Sequence, residues 1–277
     1  MELLAFLCFV GVTVAGPLNN VGPSKLVVYG SPATRSQFSF YAYLDMKLQD
    51  PNAYAENCGA SILSERYLLT ASHCVANLTF GSNARTTVYI NAIDRRDLKN
   101  SLVQALKVRM AYAFPNPNPK FTPTDCAVLE LMEPIKFINK IQPIAVARNW
   151  QKYTQEGQIG TLVGLGNRDL STPSNVLLFS HLNIQSREMC YDIFGGDTDK
   201  KLNANIFCAG KGKHGSGAGD SGGPFVIEEN GRRLQIGISM YSIKRNLNND
   251  HFSSGFFRAG LACDFIEKTT YGTVKCV

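Results

Sequence analysis

The chain of 277 residues carries 28 lysines and arginines against 22 aspartates and glutamates, a formal net charge of +6. This length can bury the core of one large all-β domain or of two smaller domains. The basic residues are scattered, with only small groups such as Lys244-Arg245. A nucleic-acid partner is therefore not predicted, because it requires basic residues gathered on one face.

The chain begins with an apolar run, Leu3 to Val14, that ends in the small residues Ala15 and Gly16. The run is too short to span a membrane, and no other stretch approaches ~20 apolar residues. We therefore predict a signal peptide over residues 1–16, no membrane anchor, and a secreted, extracellular protein.

The cysteines agree with an oxidising compartment. Cys8 leaves with the signal peptide, so seven of the eight cysteines remain. Their spacing lacks C-x₂-C pairs, so we predict disulfides and neither a metal site nor a cofactor. One thiol must stay free or bond another chain, because seven is odd. Asn77-Leu78-Thr79 is an N-glycosylation sequon, but such triplets also occur unused, and the use of Asn77 stays open.

Runs of strand character, separated by turn residues, recur along the chain. They cover residues 38–46, 86–93, 102–114, 126–132, 158–166, 174–184, 223–241 and 254–260. Asn230-Gly231, inside one of these runs, is typical of a hairpin turn. Helical periodicity is clear in residues 261–270 and weaker in residues 186–194. The pattern predicts a mostly β protein built from barrels or sandwiches.

The stretch "GSGAGDSGGPF", residues 215–225, contains a G-x-S-x-G pattern centred on Ser221. In an α/β-hydrolase such a serine lies between a strand and a helix, and its acid and histidine follow it in the chain. Here a proline and a hairpin-forming strand follow, and the only later histidine is His251, in a polar loop. The α/β-hydrolase interpretation is therefore rejected.

Two upstream segments supply the partners in a different order. "LLTASHC" contains His73 after an apolar run, and "PTDCAVLEL" places Asp125 at the start of a strand. Together with "GDSGGP", these segments resemble the T-A-A-H-C, D-I-A-L-L and G-D-S-G-G-P motifs of the chymotrypsin–trypsin family of serine proteases. The resemblance runs from about residue 27 to residue 270.

The resemblance implies an all-β fold of two packed six-stranded antiparallel β-barrels with a C-terminal helix. The implied boundaries are a propeptide at 17–26, a peptidase domain at 27–277, a first barrel at about 40–140, a second at about 141–260, and a helix at about 261–270.

The resemblance also assigns a catalytic triad. Ser221 would attack a carbonyl while His73 takes its proton, and Asp125 would hold the imidazole in the correct tautomer. The backbone N–H groups of Gly219 and Ser221 would bind the developing oxyanion. Taken singly, each residue also has a structural explanation: a buried histidine, a strand-start turn residue and a glycine-rich turn.

Family members are activated by cleavage, which frees an N-terminal ammonium that pairs with the aspartate just before the serine. The resemblance assigns these positions to Val27 and Asp220, and it implies an activating protease as a partner. The trypsin-cleavable bond is Lys25-Leu26, which leaves one extra residue. Whether the cut falls after Lys25 or after Leu26 stays open.

The chain departs from the family pattern in two places, at Gly217 and in the segment 240–242. Gly217 stands where a cysteine usually bridges to the pocket wall, so the pocket loops should be looser. Met240-Tyr241-Ser242 replaces the usual Ser-Trp-Gly, and Met240 removes a hydroxyl that supports the catalytic aspartate. Tyr241 keeps an aromatic platform, and pairing with the substrate backbone does not depend on side chains.

The implied specificity pocket has Gly215 at its base and Ser242 and Gly255 in its walls. Since no carboxylate lies at the base, we predict a preference for Phe, Tyr, Leu or Met before the scissile bond. Elastase-like or broad cleavage is the alternative.

By resemblance, two disulfides are expected, Cys58–Cys74 and Cys190–Cys208. Three cysteines remain: Cys126, Cys263 and Cys276. Cys126 follows Asp125 on a strand face that the resemblance places under the start of the C-terminal helix. We therefore predict a Cys126–Cys263 bond and leave Cys276 free, with Cys126–Cys276 as the competing pairing.

The sequence thus predicts a secreted, monomeric serine endopeptidase that acts on protein or peptide substrates and is subject to protein inhibitors. The alternative is a protease homologue that no longer cuts and instead binds a partner. The irregular activation site and Met240 favour the homologue, whereas the complete triad favours the enzyme.

Overall fold

The computed structural model describes residues 29–46, 56–76, 80–81, 86–115, 124–169, 172–194, 204–210, 212–247 and 249–277. The predicted signal peptide, the propeptide, Val27 and Asn77 lie outside the described residues. Residues 56, 191–194, 242–247 and 249–252 are described through their backbone alone.

The first half of the chain forms a closed antiparallel barrel. After a two-residue strand β1 (Ser31–Pro32), its strands are β2 (Tyr41–Met46), β3 (Glu56–Ile62), β4 (Tyr67–Thr70), β5 (Thr87–Ile90), β6 (Gln104–Ala113) and β7 (Ala127–Leu131). They pair in the order β2-β3-β4-β7-β6-β5, and β5 closes on β2. Closure leaves this sheet without a free edge.

The second half forms another closed ring. Its strands are β8 (Ala145–Val146), β9 (Ile159–Gly164), β10 (Leu178–Ile184), β11 (Ile206–Gly210), β12 (Pro224–Glu229), β13 (Arg232–Leu247) and β14 (Asn249–Arg258). The ring runs β9-β10-β11-β14-β13-β12 and closes where β12 pairs with β9, while β1 and β8 add to β10 and β13. The predicted fold of two six-stranded barrels is confirmed.

Local sequence explains several of these elements. Asn230 and Gly231 adopt positive φ values of 50° and 73° between β12 and β13, as a tight hairpin turn requires. The weaker helical pattern forms α1 (Arg187–Phe194), and the terminal pattern forms α2 (Cys263–Thr269). The terminal helix starts later than predicted because Ala259–Ala262 form a tighter 3₁₀ turn.

A shared apolar layer joins the two barrels. Its buried members come from both halves of the chain and include Phe38, Phe40, Tyr41, Tyr43, Ile144, Val163, Leu165 and Val226. Each such side chain stabilises the folded state by about 1.5–3 kcal/mol. The hydroxyl of Ser61 in β3 also donates a buried hydrogen bond of 2.5 Å to the side-chain oxygen of Gln235 in β13. These contacts fix the position of one barrel relative to the other.

The structure contains three disulfides. Cys58–Cys74 and Cys190–Cys208 are those expected from the sequence. The third joins Cys263 to Cys276, with 5.8 Å between their Cα atoms, and Cys126 is a buried free thiol. The predicted Cys126–Cys263 bond is therefore wrong, and the competing Cys126–Cys276 pairing is not formed either.

The chain reversal after α2 explains this correction. Tyr271 and Gly272 adopt positive φ values of 52° and 74°, and the Gly272 N–H donates to the Glu267 carbonyl at 2.7 Å. The tail therefore turns back along the helix and brings Cys276 to its start. Cys126 does lie in the same apolar cluster as Cys263, as the sequence argument assumed, but the nearer tail cysteine takes the bond.

None of the described helices is both long and apolar enough to cross a membrane.

Candidate active site

Three loops meet where the two barrels face each other. His73 follows the end of β4, Asp125 lies two residues before β7, and Ser221 lies in the turn before β12. Because β4 and β7 are paired neighbours, with Thr70 opposite Ala127, the first two residues leave the same end of the first barrel. The second barrel supplies the serine.

The His73 ring and the Asp125 carboxylate are in direct contact. Nδ1 of the imidazole lies 2.6 Å from Oδ2 of the carboxylate. The backbone N–H of His73 donates to Oδ1 at 2.9 Å. The histidine side chain is 47% exposed and the aspartate side chain only 12%. A buried carboxylate thus orients the imidazole through Nδ1, while Nε2 lies 3.7 Å from Sγ of Cys74.

Hydrogen bonding keeps the Asp125 carboxyl ionised. Burial alone would raise its pKa, but the hydrogen bonds from His73 and Ser72 together with the charge of the imidazole outweigh burial and lower the pKa. An ionised carboxylate at this position favours the imidazole tautomer with the proton on Nδ1.

Ser72 supplies a contact that the sequence analysis missed. Its hydroxyl donates to Oδ1 of Asp125 at 2.9 Å. Met240, where the family pattern has a supporting serine, is buried and has no hydroxyl to offer. The signal was present in the sequence, since this chain reads T-A-S-H-C where the family motif reads T-A-A-H-C. Ser72 therefore supplies the Asp125 carboxylate with a hydroxyl donor in a chain that has no hydroxyl at position 240.

The serine turn is shaped by glycines with positive φ. Gly219 and Gly222 have φ values of 92° and 76°, which non-glycine residues adopt only with strain. The carbonyl oxygen of Ser221 accepts a hydrogen bond of 2.7 Å from Gly59 of β3. Its hydroxyl donates to the carbonyl of Met240 at 3.3 Å. The turn is thus held between β3 on one side and β13 on the other.

The contact between Gly222 and the first barrel is especially close. A Cβ atom on Gly222 would lie 2.2 Å from Oγ1 of Thr70, 2.5 Å from the carbonyl oxygen of Gly59 and 3.0 Å from the backbone nitrogen of Ala71. Thr70 and Ala71 lead directly to His73. The absence of a side chain at Gly222 is what lets the serine turn approach the histidine loop.

Asp220, predicted as the activation aspartate, is fully buried behind the turn. Its carboxylate accepts backbone N–H groups of Gly166 at 2.7 Å and Gly217 at 2.8 Å. Burial raises the pKa of Asp220 to about 6, although these two hydrogen bonds and the positive charge of Arg95 oppose the rise. Its predicted partner Val27 lies outside the described residues.

The predicted pocket residues line one region of the second barrel. Gly215 is buried, and Gly255 of β14 pairs with Tyr241 of β13. The Ser216 N–H next to Gly215 donates to the hydroxyl of Ser254 at 2.7 Å. For Ser242, only the backbone is described.

A groove of about 630 Å³ opens beside His73 on the first barrel. Its apolar lining includes Val75, Phe80, Ala113 and Phe114. Three potential metal ligands, Cys58, His73 and Cys74, also lie close together, but both sulfurs are used in a disulfide, so they do not offer a metal site.

Two closed β-barrels, with a His–Asp pair on one and a glycine-flanked serine on the other, define the class of chymotrypsin-like serine proteases. The chain belongs to the trypsin family, whose sequence description it matches over residues 27–258.

Individual relatives are more distant. The chain is 26% identical to clotting factor C of Tachypleus tridentatus over 218 residues, which is 76% of this chain and 21% of that protein. It is 27% identical to cathepsin G of Mus musculus over 205 residues, covering 72% of this chain and 71% of that protein. Cathepsin G of Homo sapiens is 28% identical over 189 residues, or 68% of each chain. The chain thus spans about a fifth of the length of the clotting factor that it matches.

Proposed function

We propose that this chain is a secreted serine endopeptidase in which Ser221 is the nucleophile, His73 the general base and Asp125 the residue that orients it. The observation that carries the proposal is the contact of 2.6 Å between Nδ1 of His73 and the buried carboxylate of Asp125. A structural histidine has no need of an ionised buried partner, whereas in a Ser-His-Asp triad such a partner orients the general base and stabilises the imidazolium.

In the proposed reaction, the Ser221 hydroxyl attacks the carbonyl carbon of a peptide while Nε2 of His73 accepts its proton. The negative charge that develops on the carbonyl oxygen is stabilised by the N–H groups of Gly219 and Ser221. The imidazolium then donates its proton to the leaving amine, and an acyl-enzyme forms at Ser221. Water, deprotonated by the same imidazole, hydrolyses this ester and restores the serine.

For the substrate, we propose a large uncharged side chain before the scissile bond. The predicted base, Gly215, has no charged group, and its described neighbours Ser216, Ser254 and Gly255 carry none either. The apolar groove beside His73 offers a surface for a further substrate side chain.

A fluorophosphonate probe tests the proposal, because it reacts only with an activated serine. After trypsin treatment, the wild-type chain should be labelled at Ser221, and His73→Ala should abolish labelling. Asp125→Asn should fold normally but lose about 10⁴-fold in turnover, the loss known for the enzyme that defines this triad. A chain that is cleaved but neither labelled nor active would instead favour a binding role.

A further inference from the structure

Arg95 lies beside the predicted oxyanion loop although it belongs to the first barrel. It begins a 3₁₀ turn, Arg95–Asp97, that follows β5. Its Nη2 atom lies 3.8 Å from the position that a Cβ atom on Gly219 would occupy, and the Cβ atom of Asn57 lies 3.8 Å from the same point. The guanidinium therefore approaches the peptide that would bind the oxyanion.

The position of Arg95 is fixed by its neighbours. Its backbone N–H donates to the carbonyl of Asn175 at 2.8 Å. Its guanidinium carbon lies 5.3 Å from the centre of the Tyr43 ring, in a cation–π contact. The Tyr43 hydroxyl in turn donates to the side-chain oxygen of Asn57 at 2.6 Å. Arg95, Tyr43 and Asn57 thus form one connected wall.

Arg95 has no direct carboxylate partner among the described residues, although its charge acts on the buried Asp220 and opposes the rise in the pKa of that carboxyl. Asp94 is bound by the guanidinium of Arg96, with contacts of 2.9 and 2.6 Å. Asp97 accepts from Asn100 and lies 3.9 Å from Arg35. Among the described residues, Arg95 forms no ion pair, and its Nε atom is buried without a hydrogen-bond partner. The guanidinium can therefore take a ligand carboxylate as its direct partner.

In the substrate orientation that the family resemblance implies, the wall lies on the leaving-group side of Ser221. The acyl half of an extended substrate would pair with the edge of β13 at Tyr241, on the second barrel. The chain after the scissile bond must continue in the other direction, past β3. There Gly59 donates its N–H to the Ser221 carbonyl, and Asn57 stands next to Arg95.

We propose that Arg95 is a specificity-determining residue that selects an acidic side chain within the first three residues after the scissile bond. This inference rests on the proposed function, since it assigns the leaving-group half of the same substrate. The fixed guanidinium pairs with the substrate carboxylate as that segment lies along the wall, and it adds to the rate only for substrates that carry the charge.

The test compares quenched fluorescent peptides that share one acyl half and carry Asp, Asn or Lys at each of the first three positions after the cut. We expect wild type to favour Asp at one position by about fivefold in kcat/KM, the upper end for a partly exposed ion pair. Arg95→Gln should remove the preference, Arg95→Glu should turn it toward Lys, and added salt should weaken it.

Arg96→Gln is the matched control. It removes the same charge one position along the chain, but the Arg96 side chain is already paired with Asp94. It should keep the wild-type preference. Equal rates for Asp and Asn in wild type, or an unchanged preference in Arg95→Gln, would overturn the inference. Fluorophosphonate labelling of Ser221 separates the two levels. Labelled protein without the preference refutes only the role of Arg95, whereas absence of both labelling and cleavage refutes the proposed function and this inference with it.

Discussion

Replacing Gly222 by alanine should force the two barrels apart at the serine turn. The position has a φ of 76°, so alanine pays about 1–2 kcal/mol for the left-handed backbone alone. Its Cβ atom would also lie 2.5 Å from the Gly59 carbonyl oxygen and 3.0 Å from the Ala71 nitrogen, both of them backbone atoms. Overpacking of this kind costs a further 1–3 kcal/mol or so. The expected loss is about 2–5 kcal/mol, a large part of the stability of a typical domain.

Gly231→Ala is the control for the backbone contribution. Its φ is 73°, close to that of Gly222, but no atom lies within 4 Å of the position of an added Cβ. It should therefore cost about 1–2 kcal/mol and leave activity unchanged. Urea denaturation of both variants measures the difference in the free energy of unfolding.

Gly222→Ala should also reduce activity in the protein that remains folded. A shift of about 1 Å between Ser221 and the histidine loop is enough to lower turnover by about a hundredfold. The rate of fluorophosphonate labelling, measured without urea and at low temperature, reports the loss of activity separately from the loss of stability. Equal unfolding free energies for Gly222→Ala and Gly231→Ala would refute the reasoning.

Three further predictions follow from the site and its surroundings. Ser72→Ala should lower kcat about tenfold, because it removes a hydrogen bond to a charged group. Met240→Ser in the Ser72→Ala background should recover most of the lost kcat. Absence of recovery would assign Ser72 a structural role only. In the chain before activation, the raised pKa of Asp220, about 6 against 3.8, means that the folded state holds this proton more tightly than the unfolded state. The free energy of unfolding should therefore fall by about 2 kcal/mol between pH 4 and pH 6 relative to Asp220→Asn. A parallel pH dependence of the two chains in urea titrations would contradict this. Non-reducing peptide mapping should link Cys276 to Cys263 at the start of α2. Cys126 should be recovered as a thiol that reacts with alkylating reagents only after unfolding, because it is buried and burial raises the pKa of its thiol. A disulfide mapped to Cys126 would contradict this prediction.

The parts of the molecule that the sequence predicted correctly depend on short, local patterns. Asn230-Gly231 signals a hairpin because few residue pairs adopt its backbone angles. His73 and Asp125 lie together because their motifs flank the paired strands β4 and β7. Short strands such as β3 and β11 were missed, since their composition does not distinguish them from loops.

The errors and omissions concern contacts between distant segments. The pairing of Cys263 depends on a reversal at Tyr271-Gly272 that periodicity does not signal. Arg95 approaches Gly219 only after both barrels have closed, so its charge has no visible relation to the serine motif in the sequence. Ser72 was visible as a departure from the family motif, but its meaning required the distance to Asp125.

The end of the chain is bound tightly to the segment that connects the barrels. The N–H of Val277 donates to the carbonyl of Val146 at 2.9 Å, and its own carbonyl oxygen accepts from the N–H of Arg148 at 2.6 Å. One residue earlier, Cys276 is bonded to α2. A fluorophore or fusion partner attached after Val277 would therefore be joined to a segment whose position and direction are fixed by the fold. Such a label would report the rotation of the whole molecule, which suits anisotropy measurements of inhibitor or substrate complexes.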